Sequence, residues 1–321
     1  MRILVAGATG AVGRRLLPRL VSAGHSVVGL TRTREKAGVI RSFGAEPAVA
    51  NALDAESVHA AVAAARPDVI VHEMTELTGA ADLRRFDRSF ASTNRLRTAG
   101  TDLLLAAARD NGVRRMVVQS YCGWPYARIG GPIKSETDPL DPEPPREMRR
   151  SLDAIKYLEG AVAGSAAPEG VVLRYGAFYA SGTGMFDAAL VEQIRHRRVP
   201  LIGSGDGWWS FVHVEDAAAA TVSAVERGAP GIYNIVDDEP APVRVWLPAL
   251  AAMLGAKPPL HLPEWLARIV AGDHLVAMMT QARAGANAKA KRDLGWRPAH
   301  PSWRQGFAEI AAQQGNHRQA A

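Results

Sequence analysis

Three glycines that directly follow a short apolar segment constrain the fold of this chain more than any other feature. Residues 3–5 are apolar, Gly7, Gly10 and Gly13 come next, and residues 12–23 have the pattern of a helix. Glycine lets the backbone turn tightly and approach a ligand, and the amides and dipole at a helix start attract an anion. A strand, a glycine turn and a helix in this order predict a loop that binds a dinucleotide pyrophosphate, although the spacing is GxxGxxG and not GxGxxG. The predicted contacts are Gly7, Thr9, Gly10, Ala11, Val12 and Gly13.

Short apolar runs alternate with longer helical patterns through the first half of the chain. Strands are predicted at residues 3–5, 26–30, 46–49, 69–71, 116–119 and 171–174. This alternation predicts an α/β fold with a doubly wound parallel Rossmann sheet, and the less regular remainder predicts a smaller, partly interleaved C-terminal substrate domain. The predicted boundaries are 1–177 and 205–236 for the dinucleotide-binding domain, and 178–204 and 237–321 for the substrate domain.

Composition excludes several classes of function. The single cysteine, Cys122, excludes a disulfide scaffold and a cysteine-based zinc site, and we predict no metal. The formal net charge is +6, but the arginines are spread along the chain and do not form the single basic tract that nucleic acid needs. No apolar stretch reaches the length of a membrane span or of a signal-peptide core. We therefore expect a cytoplasmic protein that binds a small-molecule substrate, and neither nucleic acid nor membrane, with a homodimer left open.

The residues after the second predicted strand indicate which cofactor is bound. Thr31 and Arg32 stand there, and the first carboxylate is Glu35. NAD-binding folds place an Asp or Glu at this point to accept from the ribose 2′-hydroxyl, whereas an arginine accommodates a 2′-phosphate. We therefore predict NADP, with NAD less favoured, and Thr31 and Arg32 as contacts. The alternative is that Arg32 is a solvated loop charge.

Four further segments carry a family resemblance: VIVH at 69–72, LRYG at 173–176, FVHVED at 211–216 and LGWRP at 294–298. Together with the glycine loop, and in this order, they resemble the short-chain dehydrogenase/reductase superfamily, in its extended or atypical branch of epimerases and dehydratases. The resemblance implies that Asn51 and Ala52 lie beside the adenine, that Thr75 approaches the nicotinamide ribose and that Asn94 lies under it. It also places Tyr175, in the LRYG segment, among the cofactor contacts, and it makes His213 part of the scaffold. These roles are expectations from the resemblance.

Members of this superfamily that oxidise or reduce a carbinol carry Tyr-x-x-x-Lys on one helix. Residues at i and i+4 share a helix face, so the ammonium lowers the pKa of the tyrosine. In this chain Leu152 stands four residues before Lys156; if Glu159 sets the register, the pair becomes Ser151 and Ile155. Neither register provides a phenol.

The end of the fifth predicted strand offers a substitute for the missing phenol. The resemblance places either Ser120 or Tyr121 at the position of the family's catalytic Ser or Thr. We hypothesise that Tyr121, helped by Ser120, donates the proton, with Tyr126 as the next candidate. The alternative is that these aromatic residues only pack the loop. Trp208 and Trp209 either line an apolar pocket or pack between domains.

Three functions are compatible with this pattern. The first is an NADP-dependent oxidoreductase that transfers hydride to or from a small carbonyl or alcohol without the usual Tyr-x-x-x-Lys pair. The second is an epimerase or dehydratase of the nucleotide-sugar type, which also needs a base. The third is a non-catalytic NADP-binding sensor, because a Rossmann fold by itself does not decide function.

Overall fold

A computed structural model of the chain describes residues 1–76 and 86–319. Its strands are β1 (Arg2–Ala6), β2 (Ser26–Thr31), β3 (Glu46–Val49), β4 (Val69–His72), β5 (Arg115–Tyr121), β6 (Ile133–Lys134), β7 (Glu169–Tyr175), β8 (Ala177–Ala180), β9 (Thr183–Gly184), β10 (Leu201–Ile202), β11 (Trp208–Trp209), β12 (Phe211–His213), β13 (Gly231–Ile235), β14 (Ala241–Pro242), β15 (His261–Leu262) and β16 (Ala284–Gly285). Its helices are α1 (Gly13–Ser22), α2 (Ala37–Ser42), α3 (Ala55–Ala65), α4 (Phe86–Ser89), α5 (Ala91–Arg95), α6 (Thr101–Asp110), α7 (Arg149–Ala163), α8 (Ala188–Arg195), α9 (Val214–Glu226), α10 (Val243–Met253), α11 (Glu264–Ala271), α12 (Asp273–Thr280), α13 (Ala288–Asp293) and α14 (Trp303–Gln319). Short 3₁₀ turns at Arg34–Lys36 and Arg146–Met148 and a π-helical turn at Leu96–Gly100 complete the set.

Seven strands form one parallel sheet in the order β13-β7-β5-β4-β1-β2-β3. β1 lies inside it, where Ile3 pairs with Val27 of β2 on one side and with Val69 of β4 on the other. The strand order reverses between β1 and β4, and open parallel sheets bind ligands outside the carboxyl ends of the strands at such a switch point. The predicted doubly wound parallel sheet is therefore confirmed, and it sets the glycine loop beside the segment that follows β4.

Helices cover both faces of the sheet, which explains why its strands are apolar throughout. On one face Val5 packs in a cluster with Leu16 of α1 and Ala217 of α9. On the other face Leu4 packs with Leu104 of α6 and Leu158 of α7. Neighbouring residues of a strand thus face opposite layers, as the two-residue period of a strand requires.

A third apolar cluster lies outside the seven-stranded sheet. It joins β8 and β12 to the C-terminal helices through large aromatic residues, among them Phe186, Phe211, Trp246, Trp303 and Phe307. The C-terminal part therefore has a core of its own. The division of the chain at the predicted domain boundaries stays a prediction.

Two local details differ from the sequence pattern. The helical pattern of residues 103–110 belongs to α6, which begins earlier, at Thr101, and is preceded by the π-helical turn. The proline-rich segment 130–145 is a loop, as its prolines require, but it contains β6, which pairs with β16. The pairing of β6 with β16 ties this loop to the C-terminal part, and the buried Lys134 on β6 braces the loop by donating to the Ile129 carbonyl oxygen at 2.7 Å.

Candidate active site

The backbone of the glycine loop explains why each glycine is needed. Gly7 has a φ of 95°, which favours glycine, and a Cβ there would lie 2.6 Å from the Glu73 carbonyl oxygen. A Cβ on Gly13 would lie 2.7 Å from the Ala8 carbonyl oxygen. The Gly10 amide closes the turn by donating to the Gly7 carbonyl oxygen at 2.9 Å. The loops after β1 and β4 are therefore in close contact, and larger residues would separate them.

The start of α1 carries open hydrogen-bond donors. Val12 is the N-cap and makes no side-chain capping bond, and no acidic residue lies in the first turn. Within residues 1–76 and 86–319, no acceptor is found for the amides of Ala11, Val12 and Gly13. Unpaired amides at the positive end of a helix dipole suit an anion, so these residues fit a dinucleotide pyrophosphate. Thr9, half-buried in the turn before them, stays a predicted contact.

The segment after β2 presents an arginine that is only weakly held. Thr31 is buried, and Arg32 is exposed with its Nη1 3.0 Å from Glu76 Oε1. The two side chains are 64% and 35% exposed, and ion pairs of this kind contribute little to stability. Arg32 can therefore exchange this partner for an anionic ligand.

Four residues that the resemblance assigned to the cofactor have the following surroundings. Asn51, which is exposed, and Ala52, which is buried, follow β3; Thr75 is exposed and follows β4. Asn94 of α5 donates from Nδ2 to Ser151 Oγ at 3.0 Å, and its Oδ1 is buried without a partner in the described part of the chain. A buried acceptor of this kind suits a ligand hydroxyl. The roles of all four stay predictions.

A buried carboxyl group stands just beyond β4, and sequence reasoning missed it. Glu73 is 6% exposed, and its Oε1 lies 2.8 Å from the Tyr175 hydroxyl, which lies 2.7 Å from Thr221 Oγ1. Burial raises the pKa of Glu73 to about 8, against the hydrogen bond from Tyr175, which lowers it. The Tyr175 hydroxyl is already hydrogen-bonded to Glu73 and Thr221. The structure therefore does not support a contact between this hydroxyl and the cofactor.

Helix α7 carries no proton-transfer pair in the Leu152 register. Leu152 is fully buried among apolar residues. Lys156 is exposed and donates to the Asp141 carbonyl oxygen at 2.9 Å. This lysine is therefore held by the proline-rich loop that precedes α7.

The Glu159 register is the one that faces the sheet. Glu159 Oε1 accepts from Ser120 Oγ at the end of β5, at 2.7 Å. Ile155, one helical turn earlier, is on the same face, and so is Ser151 one turn before that. Ser151 is fully buried and its hydroxyl donates to Asp87 Oδ1 at 2.6 Å. Ser151 and Ile155 therefore share the sheet-facing side of α7 with Glu159, and their correspondence to the family's tyrosine and lysine stays a prediction.

Two of the three candidate hydroxyls belong to a buried network that sequence reasoning also missed. Arg174 donates to both oxygens of Glu159, at 2.7 and 2.6 Å, and Ser120 donates to one of them. The Tyr126 hydroxyl accepts from Arg174 Nη1 at 3.1 Å and donates to Asn234 Oδ1 at 2.7 Å. Burial raises the pKa of Tyr126 far above its usual value. Ser120 and Tyr126 are therefore held within the scaffold, and their catalytic roles stay predictions.

Tyr121 is the candidate that lines a cavity. It is half-buried and lies on the strand face opposite Ser120, as strand geometry requires. Its hydroxyl has no hydrogen bond in the part of the chain that the structure describes. Burial raises the pKa of Tyr121 above its usual value, and the nearby Arg97 guanidinium lowers it. The aromatic cavity, as we call the small cavity beside Tyr121, is lined by Tyr121, Cys122, Gly123, Trp124, Trp208, Trp209, Ser210, Met278 and Ala282.

The two tryptophans of β11 serve both of the uses predicted for them. They line the aromatic cavity, and the Trp209 ring also lies 5.0 Å from that of Trp246 in the C-terminal core. The cavity therefore lies between the end of β5 and the C-terminal part.

His213 has the surroundings of a scaffold residue. Its Nδ1 accepts from the Glu215 amide at 3.2 Å, which caps the start of α9. Its ring stacks on that of His300 at 3.9 Å, and burial lowers the pKa of His213 to about 4. A neutral capping imidazole fits a structural role.

Two searches of the described residues gave negative results. Within 1–76 and 86–319, no group of three or more His, Cys, Asp or Glu side chains is arranged to hold a metal ion. No helix in the same ranges is both long and apolar enough to cross a membrane.

Comparison with known proteins shows which proteins this chain is similar to. The chain is 44% identical over 311 residues to a 3-diazoavenalumate denitrifying reductase from a Streptomyces species, which covers 96% of this chain and 99% of the relative. It is 30% identical over 318 residues to a 4-hydroxy-2-methyl-3-oxo-4-farnesyl-3,4-dihydroquinoline-1-oxide ketoreductase from Stigmatella aurantiaca, with 92% of each chain covered.

Solved structures share the whole fold. A UDP-glucose 4-epimerase from Thermus thermophilus, in complex with NAD, superposes with a TM-score of 0.72 at 24% identity and covers 97% of this chain and 98% of its own. A human epimerase family protein with NADPH gives a TM-score of 0.73 at 21% identity, covering 97% and 99%. The family model described as NAD dependent epimerase/dehydratase family matches residues 3–236. The chain therefore belongs to the NAD dependent epimerase/dehydratase family of nicotinamide-dependent enzymes, which confirms the resemblance seen in its sequence.

Proposed function

We propose that this chain is an NADP-dependent reductase that reduces a small aromatic diazo compound and releases dinitrogen from it. The observation that carries the proposal is the sheet-facing side of α7, which presents Ser151, Ile155 and Glu159 and neither a phenol nor an ammonium group. The loop Gly7–Gly13, with its open amides, would hold the cofactor pyrophosphate, and Arg32 the 2′-phosphate. When bound, the reduced nicotinamide supplies a hydride.

Reductive loss of a diazo group needs no acid from the protein. In an aryl diazonium ion, dinitrogen leaves with the electron pair of the C–N bond, and the electron pair of the hydride forms the new C–H bond. The positive charge of the diazonium cancels the negative charge of the hydride, so no proton is consumed. A site without a phenol–ammonium pair is sufficient for this reaction. The name of the Streptomyces relative, a denitrifying reductase of a diazo compound, supports the same class.

The lining of the aromatic cavity is of the kind that binds a flat ring, and its volume of about 10 Å³ means that side chains must move apart for a ring to enter. Trp124, Trp208 and Trp209 provide apolar faces, and stacking on such faces stabilises an aromatic ring. The cavity begins at Tyr121, at the carboxyl end of the sheet where the nicotinamide of a Rossmann cofactor is expected.

Reduction of a ketone is the second candidate, and a specific observation favours it. The Tyr121 hydroxyl has no hydrogen bond among the described residues, so it is free to donate a proton to a carbonyl oxygen. The name of the Stigmatella relative, a ketoreductase, agrees with this candidate. No comparable observation supports the two other functions, namely an epimerase, which needs a base, and a non-catalytic sensor.

Turnover assays with the full chain distinguish the two reactions. NADPH is mixed with an aryl diazonium salt or with aryl ketones, and loss of its absorbance is followed together with release of nitrogen gas. We expect one NADPH consumed per dinitrogen. Tyr121→Phe should reduce this rate by about tenfold at most, whereas a reaction that needs Tyr121 as acid should fall by about 10²–10⁴-fold. Turnover of ketones alone would replace the first candidate by the second.

Cofactor choice is tested by calorimetric titration with NADPH and NADH. We expect NADPH to bind more tightly, and Arg32→Ala to weaken NADPH binding by roughly tenfold or more while NADH binding stays the same, since charge-assisted hydrogen bonds contribute about 1.5–3 kcal/mol. Arg41→Ala, an exposed arginine on α2, is the matched control. Equal affinity for the two cofactors would contradict the NADP assignment.

A further inference from the structure

Three polar atoms on one helical stretch are buried without a partner in the described part of the chain. They are Asn94 Oδ1 on α5, Arg97 Nε on the π-helical turn and Thr101 Oγ1 at the start of α6. Buried polar atoms are normally hydrogen-bonded, and π-helical turns are frequent at functional sites. The three atoms together therefore point to a ligand at this turn.

Arg97 is the most costly of the three, because its group is a cation. Arg97 is only 8% exposed. No ion pair or hydrogen bond to its guanidinium group is found within residues 1–76 and 86–319. Isolated buried charges are strongly unfavourable, so proteins normally pair them.

The nearest carboxylate is already used. Glu159 is close enough to interact electrostatically with Arg97, but Arg174 donates to both of its oxygens and Ser120 to one. His72 cannot balance the charge either. Its Nδ1 accepts from the Met74 amide at 3.2 Å, and burial lowers the pKa of His72 to about 4, so the ring is neutral.

Arg97 lies near the end of the sheet where the substrate is expected. The π-helical turn is attached to the end of β4, since Leu96 O lies 3.3 Å from His72 Nε2. The guanidinium interacts electrostatically with Tyr121, whose ring lines the aromatic cavity and whose hydroxyl is unbonded in the described residues. A buried cation thus lies near a hydroxyl that has no hydrogen bond among the described residues.

We infer that Arg97 and Tyr121 together bind an anionic oxygen of the substrate, namely a phenolate oxygen conjugated with the group that is reduced. The identity of that substrate rests on the proposed function, but the anion site itself does not. Electron density delivered to a conjugated ring is shared with such an oxygen, and preorganised donors stabilise the charge that develops there. Arg97 thereby supplies the positive charge that the apolar Ile155 of α7 cannot supply.

Binding of 4-nitrophenol to the full chain tests this site without any turnover. The probe is titrated by absorbance in the presence of whichever oxidised nicotinamide cofactor binds more tightly, and the pH at which the bound probe ionises is compared with that of the free probe. We expect the pKa of bound 4-nitrophenol to be lower by about one unit or more, since one unit is a tenfold preference for the phenolate. Arg97→Met should abolish the shift, and Arg97→Lys should retain part of it.

Arg95→Met is the matched control, because Arg95 lies two residues away on the same helical stretch and is exposed. It should leave the shift unchanged. Thermal unfolding shows whether Arg97→Met folds, and we expect no loss of stability, since an unpartnered buried charge is removed. An unshifted probe in the parent chain, or an equal shift in Arg97→Met, would overturn the inference.

Two further outcomes separate this inference from the proposed reaction. If 4-nitrobenzoate binds through Arg97 and 4-nitrophenol does not, the site recognises a carboxylate and the phenolate assignment is wrong. If the phenolate binds through Arg97 but no diazo compound or ketone is reduced, the proposed reaction fails and the anion site stands.

Discussion

Replacing Glu73 by glutamine should stabilise this protein at neutral and alkaline pH and change little at acidic pH. The reason is the burial of its carboxyl group. Tyr175 donates to Glu73 Oε1 at 2.8 Å, which lowers the pKa of Glu73, and Glu73 Oε2 is buried without a partner among the described residues. Burial has the larger effect and raises this pKa to about 8, so the carboxyl group is neutral in the folded protein at neutral pH.

The size of the effect follows from the pKa of Glu73, which burial raises from 4.5 to about 8. A raised carboxyl pKa gives stability that is complete below pH 4.5 and is lost as the pH rises to about 8, because only the unfolded chain then ionises freely. At about 1.4 kcal/mol per unit, the total loss is on the order of 5 kcal/mol, of which roughly 3 kcal/mol has occurred by about pH 7. Glutamine has the same shape and no such ionisation.

Urea unfolding of the parent chain and Glu73→Gln is measured between pH 4.5 and 8, the interval over which Glu73 ionises. The difference in free energy of unfolding should grow by several kcal/mol in favour of the variant, and taking the difference cancels other titrating groups, such as Asp237, whose pKa burial also raises to about 8. Glu76→Gln makes the same change in a half-exposed ion pair with Arg32 and serves as control. Parallel pH profiles for the parent and Glu73→Gln would refute the assignment of a neutral, buried Glu73.

Two other changes test the scaffold of the site. Glu159→Gln should cost about 3–5 kcal/mol in urea unfolding because it leaves Arg174 buried and unpaired, whereas Glu46→Gln in the exposed pair with Arg2 should cost less than about 1 kcal/mol; similar losses would contradict the burial argument. Gly13→Ala should weaken NADPH binding in calorimetry by at least roughly tenfold, since overpacking costs about 1–3 kcal/mol. Gly38→Ala is the control and should not change NADPH binding, because a Cβ there meets open space. Unaltered NADPH binding in Gly13→Ala would argue against this loop as the cofactor site.

The part of this fold that the sequence predicts well is the part governed by local rules. The strand at 46–49 has the predicted bounds, and the ends of the strand at 3–5 shift by one residue on each side. Buried parallel strands are apolar on both faces, and glycine spacing is set by the turn itself, so both are visible in a single sequence. Such rules do not give the distances between residues that are far apart in the sequence.

The buried polar groups could not be predicted for that reason. Glu159 and Arg174 are 15 residues apart and meet only because α7 packs against β7. Glu73 reads in the sequence as an ordinary acidic residue after a strand, and only the layer of α9 above it makes it buried. A signal was present in one case: Glu159 shares its helix face with Ile155 and Val162, and Ser120 shares its strand face with Val118, so a buried polar partner for each was to be expected.

The loss of the tyrosine and lysine and the presence of Arg97 have a common physical explanation. Ile155 and Glu159 share one face of α7, and Arg97 lies close enough to Glu159 to interact with it electrostatically. A lysine at position 155 would add a third buried cation, after Arg174 and Arg97, to a region where Arg174 already neutralises the one carboxylate that we find there among the described residues. The chain instead has an apolar residue on α7 and a buried arginine on the π-helical turn. If Arg97 binds an anion as inferred above, this arrangement is consistent with stabilising a negative oxygen and not with delivering a proton from α7.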